Sequence, residues 1–110
     1  MSAPPWMLVT AQLDPAVRHE FDDWHARIHV PRVLSIPGIV SGRRLSDISP
    51  VANYAMLYVF EDDAALRTAL ASPEANEARE DWQRWSDHIR DFAVHFYAEY
   101  EPPRLVNRLN

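Results

Sequence analysis

Residues 54–60 read YAMLYVF, seven positions without a polar residue that could face water. A strand has two faces, so an all-apolar run this short must be covered on both. Helices packed on one side of a sheet leave the other side to be covered by something else. The chain is 110 residues long, which suits one domain with one core. The strand at 54–60 therefore sets the problem that the rest of the sequence has to solve.

The flanking patterns place it among other elements. Residues 7–13 (MLVTAQL) are short, apolar and bounded by prolines, and read as a first strand. Asp14 can cap a helix with Pro15 in its first turn. That helix is expected over about 15–29, with Val17, Phe21, Trp24 or His25, and Ile28 on its apolar stripe. Pro31 predicts a boundary or kink near His29 or Val30, with room for one more turn before Pro37-Gly38. Residues 39–45 (IVSGRRL) read as a second strand and residues 47–53 as a loop. Glu61-Asp62-Asp63 opens a helix to about Ala71, and Ser72-Pro73-Glu74 restarts it as cap, proline and acid. Ala75, Ala78, Trp82, Trp85 and Ile89 share a face of that second piece. Residues 92–100 (FAVHFYAEY) read as the last strand, followed by a tail at 101–110.

The order is β-α-β-β-α-β, the ferredoxin-like pattern of an α+β fold. It predicts a four-stranded antiparallel sheet with helices on one face, as a single domain over 1–110 with its core at about 7–100. Both faces of the strands at 54–60 and 92–100 are apolar, so the uncovered face is expected to pair with a second copy in a homodimer.

Composition removes several classes of function. The chain has no cysteine, which excludes disulfides, thiolate metal sites and Cys nucleophiles. All 11 of its basic residues are arginine, so no Schiff-base lysine exists. A net charge of −5 argues against nucleic acid as a partner. No apolar stretch is long enough to span a membrane, and the first residues lack the basic region of a signal peptide. A cytoplasmic location is the resulting expectation. With glycine only at 38 and 42, neither a phosphate loop nor a dinucleotide fingerprint is present.

Chemistry-bearing residues gather in WHARIHVPRVLSIPG, residues 24–38. His25 and His29 are four apart and share a helix face. Such a pair can bind a metal only if a third ligand such as His88 or His95 converges; no metal and no cofactor is expected. His29 reads either as a cation capping a helix end or as an acid–base residue with an ordinary pKa of about 6.5. Arg43 and Arg44 point to opposite faces of their strand, so one of them turns inward to meet an acid or an anionic ligand. Trp82 and Trp85 read as core or as the wall of an aromatic pocket. Tyr58 can supply a phenolic donor.

The run Trp24, His29, Pro31, Pro37-Gly38 and Arg43-Arg44, followed by YAMLYVF and the Ser72-Pro73 helix start, resembles the dimeric α+β barrel superfamily and most of all its EthD-like proteins. The resemblance covers residues 7–100. It implies a homodimer with a small-molecule cavity between sheet and helices, bordered by the end of the first helix. Activities in the superfamily include cofactor-free monooxygenases, polyketide cyclases, lactone isomerases and haem-degrading enzymes. Ile28 stands where relatives often carry an acid before the motif histidine. The expected function is a small cofactor-independent enzyme acting on an aromatic or polyketide-like molecule by acid–base chemistry, of cyclase, isomerase, lyase or monooxygenase type. Its catalytic residues would be His29, Arg43 and Tyr58, with Trp24, His25, Arg44, Trp82, Trp85 and Phe96 binding substrate. A non-catalytic or stress-associated binding dimer, and haem or metal binding through the histidines, are the alternatives.

Overall fold

A computed structural model describes residues 4–45 and 52–98. Strand β1 (Trp6–Leu13) leads through a 3₁₀ turn (Pro15–Val17) into helix α1 (Arg18–Trp24), a π turn (His25–His29) and helix α2 (Val30–Leu34). Strands β2 (Ile39–Leu45) and β3 (Tyr54–Phe60) follow, then helices α3 (Asp63–Leu70) and α4 (Pro73–Trp82), a 3₁₀ segment (Gln83–His88) and strand β4 (Ile89–Tyr97). The sheet is antiparallel with order β2-β3-β1-β4. This is the ferredoxin-like arrangement expected from the sequence. Among the described residues no helix is long and apolar enough to cross a membrane.

The helix starts follow their caps. Asp14 accepts from the Ala16 N–H at 2.9 Å, Asp62 from Ala65 at 2.8 Å and Ser72 from Ala75 at 3.1 Å. Each side chain satisfies a backbone donor that the first helical turn leaves open. The loop expected at 47–53 lies largely outside the described residues, as does the tail at 101–110. Asn53 is described, and closes the end of the sheet. Its amide donates to the Leu13 carbonyl at 2.8 Å and accepts from the Leu13 N–H at 2.6 Å.

In β3 the alternation is strict. Tyr54, Met56, Tyr58 and Phe60 are buried under the helices, while Ala55, Leu57 and Val59 face the other way and are half-buried. Val9, Ala11 and Leu13 continue the inner face on β1. Phe21, Trp24, Val33, Ile36, Ala69, Ala75 and Ala78 close the core from the helices.

Three expectations are corrected. Ile28 is not on the buried stripe but 45% exposed, and His29 takes the inward place. The second helical piece ends as an α-helix at Trp82, and the tighter 3₁₀ segment delivers Ile89 into β4 opposite Leu13. The last strand accordingly begins three residues earlier than expected and ends at Tyr97.

Pro37-Gly38 does stop the helix. Gly38 has φ +96°, and a Cβ there would come within 2.9 Å of the Ala65 Cβ on α3. Gly38→Ala should therefore cost about 1–3 kcal/mol from backbone strain and collision together, measured as a lower urea midpoint with an unchanged slope.

Candidate functional site

The site begins with the π turn. Val30 donates its N–H to the His25 carbonyl five residues back, one residue further than an α-helix allows. Pro31 has no N–H and its ring crowds the carbonyl four residues earlier. A widened turn just before it accommodates both facts. The extra residue shifts the inward positions to His25, His29 and Val33, all buried.

His29 and Tyr58 face a cleft of about 460 Å³ between α2–α4 and the inner face of the sheet. Tyr54, Trp82, Phe92 and Phe96 supply most of the aromatic lining. The cleft is nearly all apolar, yet the His29 Nδ1 and the Tyr58 hydroxyl are buried there without a hydrogen-bond partner. Buried polar atoms are rarely left so, and each such orphan calls for an explanation. Gly42 lies opposite Tyr58 on β2 and makes room for it, since a Cβ there would meet the Tyr58 ring at 3.0 Å.

The imidazoles are held from behind. The Trp24 ring stacks on His29 at 4.9 Å and 26°, and its Nε1–H donates to Asp81 at 3.1 Å. Arg32 pairs with the same carboxylate at 3.6 Å. Behind His29, the His25 Nε2 lies 2.7 Å from the Tyr54 hydroxyl, and the tautomer of the ring decides which of them donates. Phe21 stacks on His25 at 5.5 Å. The Arg44 guanidinium lies 4.7 Å from the centre of the Tyr54 ring and bonds Asp22 at 3.0 Å. A chain of contacts thus runs from Asp22 at the surface to Tyr54 in the cleft wall.

Burial governs the charge states. It pushes His29 down to about 4, with Asp81 opposing and Arg32 adding to the shift. Burial also pushes His25 down to about 3, helped by the positive charge of Arg44. Tyr54 and Tyr58 are pushed far above the ordinary phenol range by burial. Burial of Asp22 works to raise its pKa, but the hydrogen bonds and charges of Arg18 and Arg44 outweigh it and the net shift is downward. At neutral pH the cleft therefore presents an uncharged imidazole and an uncharged phenol. This removes the reading of His29 as a helix-capping cation, since the helix also continues past it to Leu34.

No protein-family model and no curated protein matches the sequence. Solved structures do match in shape. A DABB family protein with a ferredoxin-like fold from Mesorhizobium loti superposes with a TM-score of 0.74 at 19% identity, over 89% of this chain and 98% of that one. An ethyl tert-butyl ether D (EthD) family protein from Bacillus halodurans gives 0.67 at 19% identity, over 87% and 99%. SnoaB, a cofactor-independent oxygenase from Streptomyces nogalater, gives 0.62 at 20% identity, over 94% and 100%. The chain has the ferredoxin-like α+β fold of these structures.

Within this fold the nine residues singled out from the sequence separate into groups. His29, Tyr58, Trp82 and Phe96 line the cleft. Trp24 and His25 pack behind it, and Arg44 braces Tyr54 on the inner side. Arg43 does not join them. It pairs with Leu57 on the outer face of the sheet, away from the cleft lining. Trp85 packs on Phe21 at 5.3 Å and lines a separate depression with Trp24, Ile28 and His88, outside the cleft. Tyr54 was not among the expected site residues, although its spacing of four from Tyr58 on one strand puts both on the same face. Among the described residues no group of three His, Cys, Asp or Glu could hold a metal. His88 faces Asp14 at 3.6 Å, and His95 stands opposite Leu8 on the outer face.

Acid should loosen this site. The unfolded chain protonates each imidazole near its ordinary value of about 6.5, whereas the folded chain resists to about 4 at His29 and about 3 at His25. Between those limits the unfolded state binds more protons, so stability present above about pH 6.5 is lost as pH falls towards the folded values. Urea midpoints should drop from pH 7 to pH 4, and proton NMR should show neither ring titrating between pH 5.5 and 8.

Proposed function

We propose that the cleft binds a flat, largely apolar small molecule bearing oxygen functions, and that the chain transforms it by proton transfer without a bound cofactor. The observation that carries this reading is the pair of unpartnered buried atoms, His29 Nδ1 and the Tyr58 hydroxyl, in a mostly apolar cleft. The phenol is a donor suited to a carbonyl or enolate oxygen of the ligand. The neutral imidazole is suited to take a proton from an acidic O–H or C–H and return it at a second position. Such a sequence balances as an isomerisation or cyclisation. Proton removal from a phenolic or enolic substrate is also the first requirement of a cofactor-free oxygenase, the activity named for SnoaB. Trp82 and Phe96 supply flat apolar walls, and Trp24, His25, Tyr54 and Arg44 fix the orientation of the two polar groups.

In a screen of planar hydroxyaromatic ketones, Tyr58→Phe should weaken binding by about tenfold, the worth of one hydrogen bond. His29→Ala should lower turnover by about 100-fold or more while leaving the circular dichroism spectrum unchanged. A second reading, ligand binding without chemistry, is favoured by one fact: burial holds His29 down at about 4, well below the range where imidazole exchanges protons freely. Under it, His29→Ala alters affinity only and no product forms with any binder.

The proposal includes a homodimer. The outer sheet face carries Leu8, Leu57, Val59 and Tyr97 with no helix over it. Stacking two such faces would cover the side of β3 that the helices leave open. Light scattering should give twice the 12.7 kDa chain mass, and Leu57→Asp should reduce it to the single mass.

A further inference from the structure

One formal charge lines the cleft among the described residues, and it has no counter-charge. Arg79 is there, with no Asp or Glu beside it in the lining. Helix α4 explains the placement. Ala75, Arg79 and Gln83 recur at four-residue spacing along α4 and its end, next to Ala78 and Trp82, and all of these face the cleft. The acids of the same helix, Glu74, Glu77, Glu80 and Asp81, fall on its other sides and none of them lines the cleft. Asp81 is already engaged by Trp24, Arg32 and Arg84.

The guanidinium of Arg79 bonds neutral acceptors only. Its Nη2 donates to the Leu70 carbonyl at 3.2 Å and to the Asn76 Oδ1 at 2.6 Å. No carboxylate among the described residues forms an ion pair with it. The two bonds tie α4 to the end of α3 and leave the N–H groups of Nε and Nη1 uncommitted. Arg79 is exposed, whereas His29 and Tyr58 are buried, so the cation marks the rim of the cleft and the orphaned polar pair its interior. On the sheet side Phe92, Val94 and Phe96 line the cleft while staying 50%, 39% and 47% exposed. They form an apolar shelf continuous with the cavity, and Trp82 meets its first ring at 5.6 Å.

We infer that Arg79 receives a carboxylate at the rim end of the ligand, so that the cleft selects flat aromatic acids over their neutral counterparts. The inference rests on the reading of the cleft as a small-molecule site and adds the charge and polarity of its occupant. The oxygen function at the inner end meets Tyr58 and His29, the apolar body rests against Trp82 and the β4 shelf, and the carboxylate stays at the mouth. A cation beside apolar walls is less screened than one in open water, and its hydrogen bonds to an anion are charge-assisted. An arginine that only fastened α3 to α4 would not discriminate between ligands by charge.

Fluorescence titration with 6-hydroxy-2-naphthoate and with its methyl ester tests the assignment. The wild type should bind the acid about tenfold more tightly than the ester, and added sodium chloride should shrink that preference. Tyr58→Phe should weaken both probes alike, which reports that they occupy the cleft. Arg79→Gln should bring the acid down to the affinity of the ester and leave the ester unchanged, and Arg79→Lys should keep part of the preference. Each comparison is made within one protein, so a loss of stability from the α3–α4 bonds cancels. Equal affinities for acid and ester in the wild type, or a preference that survives in Arg79→Gln, overturn the inference and leave the small-molecule site standing. Failure of both probes to bind the wild type overturns the reading of the cleft and the inference with it.

Discussion

One hydrogen bond, from the Val30 N–H to the His25 carbonyl, decides what the first helix presents to the sheet. In an unbroken α-helix the inward positions after Phe21 and Trp24 would include Ile28. The added residue of the π turn rotates Ile28 outward and brings His29 beneath α4, while His25 stays under Tyr54. The imidazole in the cleft depends on that rotation. It stacks His29 on Trp24, and Trp24 in turn is tied to Asp81 on α4. It also lets α2 run on through Pro31 so that Val33 and Ile36 reach the core. The wide turn has poorer backbone geometry than an α-helix, and such bulges are often found where a fold positions functional groups.

The elements of the fold were legible because their signals are local. The capping residues Asp14, Asp62 and Ser72, the stop at Pro37-Gly38 and the unbroken apolar run of β3 each act within a few positions. What was not legible turned on single-residue insertions. Ile39 pairs with Phe60 on the inner face, so plain alternation along β2 would also turn Ser41 and Arg43 inward. The irregularity between Ile39 and Ser41 shifts the parity, and Gly42 and Arg44 face the helices instead. A second insertion does the same in β4. Asp91, with φ +54°, sits in a bulge where Thr10 pairs with Ala93 but Gln12 with Arg90. That bulge turns both Ile89 and Val94 inward, although strict alternation would separate them. The π turn is the helical version of the same event. Each inserts one residue, and an insertion has no compositional mark comparable to a proline or a cap.

Arg44 shows how much follows from such a shift. On the inner face its charge lies against the Tyr54 ring and finds Asp22, itself held by Arg18 at 3.0 Å. These ion pairs are partly exposed and individually weak stabilisers. Their structural effect is to set Tyr54, whose hydroxyl fixes His25, whose ring packs beside His29 at 5.5 Å. Arg43, one residue away, has no part in this. The difference between a residue that organises the site and one on the far side of the sheet is a single step of strand parity.

The low pKa of His29 comes from the burial of its ring. Burial removes water from the ring, and no acidic side chain contacts its Nδ1 to compensate; Asp81 acts on it at longer range and only in part. A ligand that places an acidic O–H or an oxyanion against Nδ1 would supply the missing partner and favour the imidazolium. The substrate would then raise the basicity of the group that deprotonates it. Ile28, exposed on the opposite side of the turn, cannot take that part, and neither can any carboxylate in the cleft lining. A proton-transfer role for His29 thus requires a ligand that is itself acidic or becomes anionic, whereas a wholly apolar ligand would leave the ring neutral and the cleft a binding site. The chemistry of the occupant, more than the protein around it, decides between those two outcomes.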